Sequence, residues 1–212
     1  LFSLTDVAAD SQALSALRKE KATGGADWLF VGRISPHKAQ HDLIKALACA
    51  RSMTDPSARL HLVGTSLGID YLRALERFAD RLGIADAVRM PGTVTAGVLA
   101  GYYETADVFV CVSDHEGFCV PIIEAMGRGC PVVAHEAAAV GETVGEAGIV
   151  LHDKSPVTVA TAVDRVTSDP MLNERLVSLG KKRAELLSVP SSGTQMVTAI
   201  KEAISISSGG GS

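Results

Sequence analysis

Two glycine patterns that indicate a bound nucleotide are missing from this sequence. It has neither G-x-G-x-x-G, typical of nicotinamide dehydrogenases, nor G-x-x-x-x-G-K-[ST], typical of P-loop NTPases. It also lacks an excess of basic residues, because 20 Lys and Arg stand against 24 Asp and Glu and the net charge is −4. The sequence therefore argues against both of those enzyme classes and offers no basic field for nucleic acid.

Long apolar runs and paired cysteines are absent as well. No apolar run approaches the roughly 20 residues that span a bilayer, and the four cysteines include no C-x-x-C pair. We therefore expect free cysteines, a reduced cytoplasmic setting and no transmembrane segment. The first residues, LFSLTDVAAD, lack both an initiating Met and the basic flank of a signal peptide, so we expect a piece of a longer protein.

The composition that is present suits one globular α/β domain. Apolar residues make up 47% of the 212 residues, enough for one substantial core but not for two enzyme-sized α/β domains. Short β-branched runs alternate with amphipathic patterns and predict six strands, at 28–32, 59–64, 87–92, 107–112, 131–134 and 148–151. We expect a Rossmann-like, doubly wound parallel sheet of about six strands with C-terminal helices.

Three parts are predicted along the chain. Residues 1–27 form a helix and linker, residues 28–206 form the sheet with its helices, and residues 207–212, in the ending SISSGGGS, form a flexible tail. After Pro156 the pattern is all helical and ends in an amphipathic stretch with the apolar residues Met196, Ile200, Ala203 and Ile204.

Ligands of such a sheet bind beyond the carboxyl ends of the strands, so the segments that follow the strands matter most. The segment after the first strand, GRISPHK, supplies Arg33 and Lys38, and Lys38 lies near the start of the next helix. A helix N-terminus already favours an anion, and two cations there suit a diphosphate. Either residue alone would be interpreted as a solvated loop charge.

The stretch SDHEGFCVPIIEAMGRGCPVV carries two glutamates, Glu116 and Glu124. With Glu116 at the strand-to-helix turn and Glu124 two turns into the helix, their separation along the axis is about 10–12 Å. The carboxylates of a retaining glycosidase lie only about 5–5.5 Å apart. The longer span matches a nucleotide sugar, with one carboxylate for the hydroxyls of each sugar. The alternative is an ordinary helix with two surface glutamates.

Several segments taken together resemble a known family. VGRISPHKAQHDLIKAL, LHLVG, VRMPGTV, YYETADVFVCVSDHEGFCVPIIEAMGRGCPVV and GETVGEAGIVL are similar to the C-terminal, donor-binding domain of retaining GT-B glycosyltransferases with the E-x7-E motif, which include sucrose synthases and bacterial mannosyltransferases. The resemblance covers about residues 28–170 and implies one half of a GT-B fold. It implies transfer of a hexose, with retention, from a UDP- or GDP-linked sugar, without a cofactor or a metal. It also implies an N-terminal acceptor-binding domain, without which this half is inactive, and it allows peripheral membrane contact of the full enzyme.

The resemblance implies roles for individual residues. Arg33 and Lys38 bind the donor diphosphate and Glu116 contacts the transferred sugar, which makes these three the catalytic candidates. Glu124 holds the ribose. The whole set of implied donor-binding residues is Gly32, Arg33, Lys38, Gly64, Arg89, Met90, Glu116, Gly117, Phe118, Cys119, Val120 and Glu124, with the nucleobase near Arg89 and Met90.

Some positions depart from the family pattern. The family often has glycine where this sequence has Ala39 and Cys119, and a glycine-rich turn after the fifth strand where it has HEAAAVGETVGEAG. Within that stretch, Glu142 occupies a position that is frequently acidic in the family.

Other interpretations remain open. His37 and His41 have the i, i+4 spacing of metal ligands, but no third ligand accompanies them and an ordinary helix face is the simpler interpretation. Asp114 and His115 resemble half of a hydrolase dyad, without a G-x-S-x-G motif. Cys119 near a helix N-terminus could carry a reactive thiolate or simply pack in the core. For the whole domain, the alternatives are a nucleotide-sugar epimerase or phosphorylase half and a non-catalytic nucleotide-binding module.

Overall fold

The computed structural model describes residues 7–66 and 68–187, in which helices and strands alternate. The strands are β1 (Asp27–Val31), β2 (Arg59–Val63), β3 (Val88–Gly92), β4 (Val108–Cys111), β5 (Val132–His135) and β6 (Gly148–Leu151). The helices are α1 (Ser11–Lys21), α2 (Gln40–Met53), α3 (Ile69–Arg81), α4 (Ala96–Thr105), α5 (Val120–Gly127), α6 (Val140–Val144), α7 (Pro156–Ser168) and α8 (Pro170–Leu187). Short 3₁₀ turns occupy Pro36–Lys38, Ala85–Ala87 and Gly145–Ala147.

The six strands form one parallel sheet in the order β3-β2-β1-β4-β5-β6. Each strand begins and ends within one residue of its predicted range. The sequence prediction of a doubly wound sheet is therefore confirmed, as is the prediction of helices after Pro156. The amphipathic stretch around residues 196–204 lies outside the described residues.

The sheet is buried on both faces. Consecutive residues of β1, namely Trp28, Leu29 and Phe30, are each at most 1% exposed although their side chains alternate between the faces. Helices contact one another in pairs above and below the sheet, with α2 against α7, α5 against α8 and α1 against α4. This double coverage explains why the strands appear in the sequence as continuous apolar runs.

Helix α1 is attached to the sheet at its C-terminal end. Its N-terminus is capped by the Asp10 side chain, which accepts a hydrogen bond from the Ala13 N–H at 2.8 Å. At the other end, the Lys21 ammonium lies 2.7 Å from Asp107, just before β4. None of the helices over the described residues has the length and apolar content that crossing a bilayer requires.

Buried charges join the amino-terminal ends of β1 and β2. The Asp27 carboxylate accepts a hydrogen bond from Arg59 at 2.7 Å and lies 3.3 Å from His61. Burial by itself would raise the pKa of Asp27, but the hydrogen bonds from His61 and Arg59 outweigh it, and the pKa lies below its ordinary value. The cluster therefore holds an ionised carboxylate inside the protein.

The order of the strands creates a crevice between the carboxyl ends of β1 and β4. The chain leaves β1 towards β2 and β3 and then returns to β4 on the other side, which is the topological switch point where ligands of such sheets bind. The neighbouring backbone is tightly packed, because a Cβ atom on Gly64 would lie 2.0 Å from the Gly32 carbonyl oxygen. Gly32 and Gly64, both predicted site residues, therefore lie side by side at this edge.

Candidate functional site

Two loops border the crevice. One runs from β1 through the 3₁₀ turn Pro36–Lys38 into α2, and the other runs from β4 through residues 112–118 into α5. The Asp114 N–H donates to the His37 carbonyl oxygen at 2.9 Å. This backbone hydrogen bond ties the two loops together.

Lys38 and Glu116 form an ion pair across the two loops. The Lys38 ammonium lies 2.6 Å from the Glu116 Oε1 atom, and their side chains are 15% and 9% exposed. The Ser113 hydroxyl donates to the same Oε1 atom at 2.8 Å. Two residues far apart in the sequence, each predicted to contact the donor, are thus in direct contact. Sequence reasoning missed Ser113, whose position three residues before Glu116 was the available signal.

Arg33 lies on the exposed side of the same loop. Over the described residues its guanidinium makes no ion pair. The backbone beside it is held by Gln40, which is fully buried and donates to the Arg33 carbonyl at 2.8 Å while accepting from the Ser35 N–H at 3.4 Å. The loop therefore presents Arg33 to solvent from a fixed backbone. Sequence reasoning missed Gln40, because its two partners are backbone groups without a pattern in the sequence.

Over residues 7–66 and 68–187, three residues other than glycine adopt the left-handed backbone conformation, and all three lie in loops at this edge. They are Ala39 (φ 52°), Cys119 (φ 46°) and Ala138 (φ 51°). At the first two the family pattern has glycine, and the third lies in the stretch that replaces its glycine-rich turn. The departures seen in the sequence therefore keep the conformation that suits glycine and carry its steric cost.

Glu124 lies in the second turn of α5, because the left-handed Cys119 delays the start of the helix to Val120. The expectation of two full turns was wrong, and the axial estimate does not apply since Glu116 precedes the helix. The buried Tyr103 hydroxyl donates to Glu124 at 2.9 Å. Burial raises the pKa of Glu124, while the hydrogen bond from Tyr103 and the charge of Arg128 oppose the rise. Sequence reasoning missed Tyr103, which comes from α4.

The start of α5 faces the crevice. Gly117 and Phe118 are exposed, and a Cβ atom on Gly117 would meet open space. Pro121 has no N–H group and the Ile122 N–H donates to the Cys119 carbonyl at 2.9 Å, so the N–H groups of the residues before Pro121 are the ones that this end can offer to an anion. The Phe118 carbonyl is held from behind by the Thr143 hydroxyl of α6 at 3.2 Å. Glu142, next to Thr143, is exposed.

Arg89 and Met90 do not join this arrangement. The Arg89 guanidinium lies 3.1 Å from Glu20 and also donates to the Asp86 carbonyl, beside the amino-terminal ends of the strands. The reason is register, since Arg89 is the second residue of β3 and pairs with His61. Met90 is half-buried and packs against the core. At the carboxyl end of this pair of strands lie instead Thr65 and Thr93, which the sequence reasoning missed and whose hydroxyls are 2.7 Å apart.

The remaining polar candidates have other partners. His37 contacts the Ser35 hydroxyl at 3.4 Å and His41 contacts the Tyr71 hydroxyl at 3.1 Å, so the two rings do not converge as a metal pair. Asp114 pairs with Lys154 rather than with His115. Cys119 is buried, and its hydrogen bond with Cys111 together with burial raises the pKa of its thiol far above the ordinary value. This favours packing over a reactive thiolate.

Comparisons with known proteins agree with this geometry. Residues 16–183 match the family described as "Glycosyl transferases group 1". The chain is 35% identical over 167 residues to a D-inositol 3-phosphate glycosyltransferase of Thermomonospora curvata, covering 75% of this chain and 38% of that protein. It is 36% identical over 163 residues to the protein of the same name from Geodermatophilus obscurus, covering 73% of this chain and 35% of that protein. The chain thus spans less than half the length of these relatives.

Solved structures share the fold. HepE of Anabaena in complex with UDP-glucose superposes with a TM-score of 0.80 at 24% identity, covering 95% of this chain and 56% of that chain. The C-terminal domain of the group 1 glycosyl transferase LpcC from Francisella tularensis has a TM-score of 0.74 at 22% identity, covering 88% of this chain and 98% of that one. The family resemblance seen in the sequence is therefore confirmed: the chain belongs to the group 1 glycosyl transferases, of retaining GT-B type, and corresponds to their C-terminal domain.

Proposed function

We propose that this chain is the donor-binding half of a retaining glycosyltransferase that moves a hexose from a nucleotide-diphosphate sugar to an acceptor. The observation that carries the proposal is the contact between Lys38 and Glu116 at the switch point of the sheet, with Arg33 and the start of α5 beside it. A cation for the diphosphate and a carboxylate for the sugar are thereby adjacent. The sugar and the phosphate that they would bind are also adjacent, because one bond joins them in the donor. Membership of a transferase family favours this function over an epimerase, a phosphorylase or a non-catalytic module.

The positive charge for the diphosphate comes from the chain itself. An ammonium group has three donors, and within the part of the chain that the structure describes Lys38 uses one, on Glu116, which leaves two for phosphate oxygens. Arg33, exposed on a fixed loop, adds a guanidinium, and the N–H groups at the start of α5 add backbone donors. This set supplies the charge that Mg²⁺ would otherwise bring, so donor binding is proposed to be independent of metal.

The two glutamates divide the sugars between them. Glu116, at the ion pair, accepts hydrogen bonds from hydroxyls of the transferred hexose. Glu124, which Tyr103 holds from behind, accepts hydrogen bonds from the ribose hydroxyls. Thr65 and Thr93 follow the neighbouring strands β2 and β3 and lie exposed at the same edge, where the nucleobase would extend. UDP and GDP are the two donor nucleotides to compare.

Chemistry in the intact enzyme follows from this placement. The diphosphate leaves while Lys38 and Arg33 stabilise its developing charge. An oxygen of the leaving diphosphate takes the proton of the acceptor hydroxyl. Because the acceptor attacks on the same face of the sugar that the diphosphate leaves, the anomeric configuration is retained. Removing one such donor typically costs about 2.7–4 kcal/mol of transition-state stabilisation. The acceptor would be delivered by a separate N-terminal domain, whose closure over the crevice would exclude water.

Calorimetric titration of the chain with UDP and GDP, with and without EDTA, tests the proposal. We expect one of them to bind equally well in both conditions. Lys38→Ala should weaken binding about 10- to 150-fold, the effect of about 1.5–3 kcal/mol for a hydrogen bond to a charged group. Lys45→Ala is the matched control, since Lys45 lies on α2, directly after the turn that carries Lys38, and pairs with Asp42. Affinity that disappears with EDTA, or that Lys38→Ala leaves unchanged, refutes the assignment.

Glutamate variants separate the two sugar roles. Glu124→Ala should weaken binding of the nucleoside diphosphate, whereas Glu116→Ala should spare it and weaken only the complete nucleotide sugar, by about 1–3 kcal/mol in each case. An exchange of the two phenotypes would reverse the assignments. Equal and negligible losses would return both residues to the interpretation of surface glutamates.

The chain on its own should transfer no sugar. Incubation with labelled nucleotide sugar and candidate acceptors should give no glycoside product even where calorimetry shows binding. Product formed with turnover would show that this half suffices for catalysis.

A further inference from the structure

Three metal-ligating atoms meet at the inner wall of the crevice. Cys111 at the end of β4, Glu116 in the following loop and Cys119 before α5 each offer one, and these atoms all lie within 4.8 Å of one another. The Cys111 sulfur lies 3.8 Å from the Glu116 Oε1 atom. All three residues are buried, with exposed fractions of 2%, 8% and 8%. Glu116 has a role in the proposed function, whereas the two thiols have none.

The spacing fits a tetrahedral site for a soft divalent cation. Zn–S bonds of about 2.3 Å and Zn–O bonds of about 2.0–2.2 Å put two thiolates about 3.8 Å apart and a thiolate about 3.6 Å from a carboxylate oxygen. The distance of 3.8 Å between the Cys111 sulfur and Glu116 is close to that edge, and the other two distances are at most 4.8 Å. Side-chain rotations therefore have to close no more than about 1.2 Å. Three protein ligands leave the fourth tetrahedral position for a water molecule or another ligand.

We propose that Cys111, Glu116 and Cys119 form a binding site for a thiophilic divalent cation of the Zn²⁺ class. On binding, both thiols lose their protons to solvent, two metal–sulfur bonds form, and one divalent cation replaces two protons. The net charge of the buried cluster therefore does not change. Lys38 keeps its role as the counter-ion of the carboxylate, since it lies 2.6 Å from Glu116. No oxidant or reductant is required.

The two thiols differ in acidity before a metal binds. The hydrogen bond between them raises the pKa of the Cys119 thiol, with burial adding to the rise, and lowers the pKa of the Cys111 thiol. A coordinating metal deprotonates its thiol ligands outright, whatever their pKa beforehand. The site therefore does not depend on the acidity of either thiol, and the positions of the three ligand atoms carry the proposal.

Metal binding has a consequence at the donor site, and this consequence rests on the proposed function. A cation held on Glu116 withdraws the carboxylate from the hydroxyls of the hexose. The metal should therefore compete with the complete nucleotide sugar, while the nucleoside diphosphate alone is less affected. The cation acts as an inhibitor of the domain and has no part in transfer.

Absorption spectroscopy with Co²⁺ tests the site independently of any nucleotide. The reduced, metal-free chain is titrated with Co²⁺, and thiolate-to-cobalt charge-transfer absorption should saturate at one equivalent and disappear when Zn²⁺ is added. Proton release in weak buffer near neutral pH should approach two protons for each metal ion. Surface histidines cannot imitate this result, because imidazole gives no thiolate band.

Cys119→Gly is the decisive variant, since glycine suits the left-handed backbone at this position and should preserve folding. It should weaken Zn²⁺ binding by more than the roughly 10- to 100-fold loss that changes outside the coordination shell cause. Cys49→Ser, on α2, is the matched control and should bind as the wild type does. Absence of the thiolate band, or equal affinity in Cys119→Gly, overturns the metal site. Failure of nucleotides to bind would instead overturn the proposed function and leave the spectroscopic result standing.

Discussion

Replacing Ala138 with glycine should stabilise the protein. The backbone there has a φ of 51°, a conformation that costs a residue with a Cβ atom about 1–2 kcal/mol. Glycine removes this cost. It also gives the unfolded chain more conformational freedom, which lowers the stability of the fold by about 0.4–1 kcal/mol. Ala138 is exposed, so its methyl group contributes little burial. The net gain should be about 0.5–1 kcal/mol, or about 1–4 °C in the melting temperature of a chain of this size.

The neighbouring residue supplies a control of opposite sign. Ala139 has a φ of −81°, which any residue adopts readily, so glycine there should only lower stability, by about 0.5–1 kcal/mol. At Ala39, also left-handed, the fully buried methyl group is lost as well, which removes about 0.8 kcal/mol of burial and brings the net effect near zero.

Urea unfolding of the three variants measures these differences, provided that the unfolding free energy falls with urea concentration at the same slope in each. Ala138→Gly should be the most stable of the three, Ala39→Gly should be close to the wild type, and Ala139→Gly should be the least stable. If Ala138→Gly lowers stability as much as Ala139→Gly does, the left-handed strain assigned to the loop is refuted.

Three further changes have defined outcomes. Tyr103→Phe leaves the half-buried Glu124 without its donor and raises the pKa of Glu124 further. Affinity for the nucleoside diphosphate should therefore fall as the pH is lowered, and this fall should begin at a higher pH than in the wild type. Asp27→Asn should cost about 3–5 kcal/mol at neutral pH because it breaks a buried ion pair. Since the pKa of Asp27 is lowered in the fold, its contribution is present above the unfolded pKa and is lost as the pH falls through the folded pKa. Gly64→Ala should disrupt the crevice because its Cβ would lie 2.0 Å from a backbone oxygen, whereas Gly117→Ala, which meets open space, should be close to neutral in stability.

Each of these three predictions has a measurement that can contradict it. For Tyr103→Phe, calorimetry across pH should show a displaced profile, and an undisplaced one would mean that the tyrosine only packs. For Asp27→Asn, unfolding free energies from neutral to acid pH should converge with those of the wild type, and a constant gap would exclude the ionised carboxylate as the cause. For Gly64→Ala, stability equal to that of Gly117→Ala would show that the two loops can separate without cost.

Much of the fold was predictable because the signals are local. The strand runs and amphipathic helices gave the six parallel strands to within one residue, and the loop that follows each strand could be named in advance. The sequence assigned Lys38 and Glu116 to the same donor site but did not predict their direct contact, because proximity across the crevice depends on strand order.

The remaining features could not be read from local patterns. Tyr103 and Glu124 meet from different helices, and Gln40 binds backbone groups, so neither contact has a spacing to detect. Arg89 was associated with the base by resemblance, yet its place in the register of β3 puts its side chain beside the opposite ends of the strands. The delayed start of α5 depended on the backbone angle of one residue, Cys119, whose side chain type does not favour it.

The position of β1 and β4 in the middle of the sheet sets how the crevice responds to fluctuations. Each is hydrogen-bonded to a strand on both sides, whereas β3 and β6 are edges with one neighbour. Amide protons of the two central strands should therefore exchange only when the whole domain unfolds, while those of the edges exchange through smaller openings. The two loops that carry Lys38 and Glu116 are thus rooted in the most slowly exchanging part of the molecule, and fraying of the periphery leaves the spacing of the two charges intact.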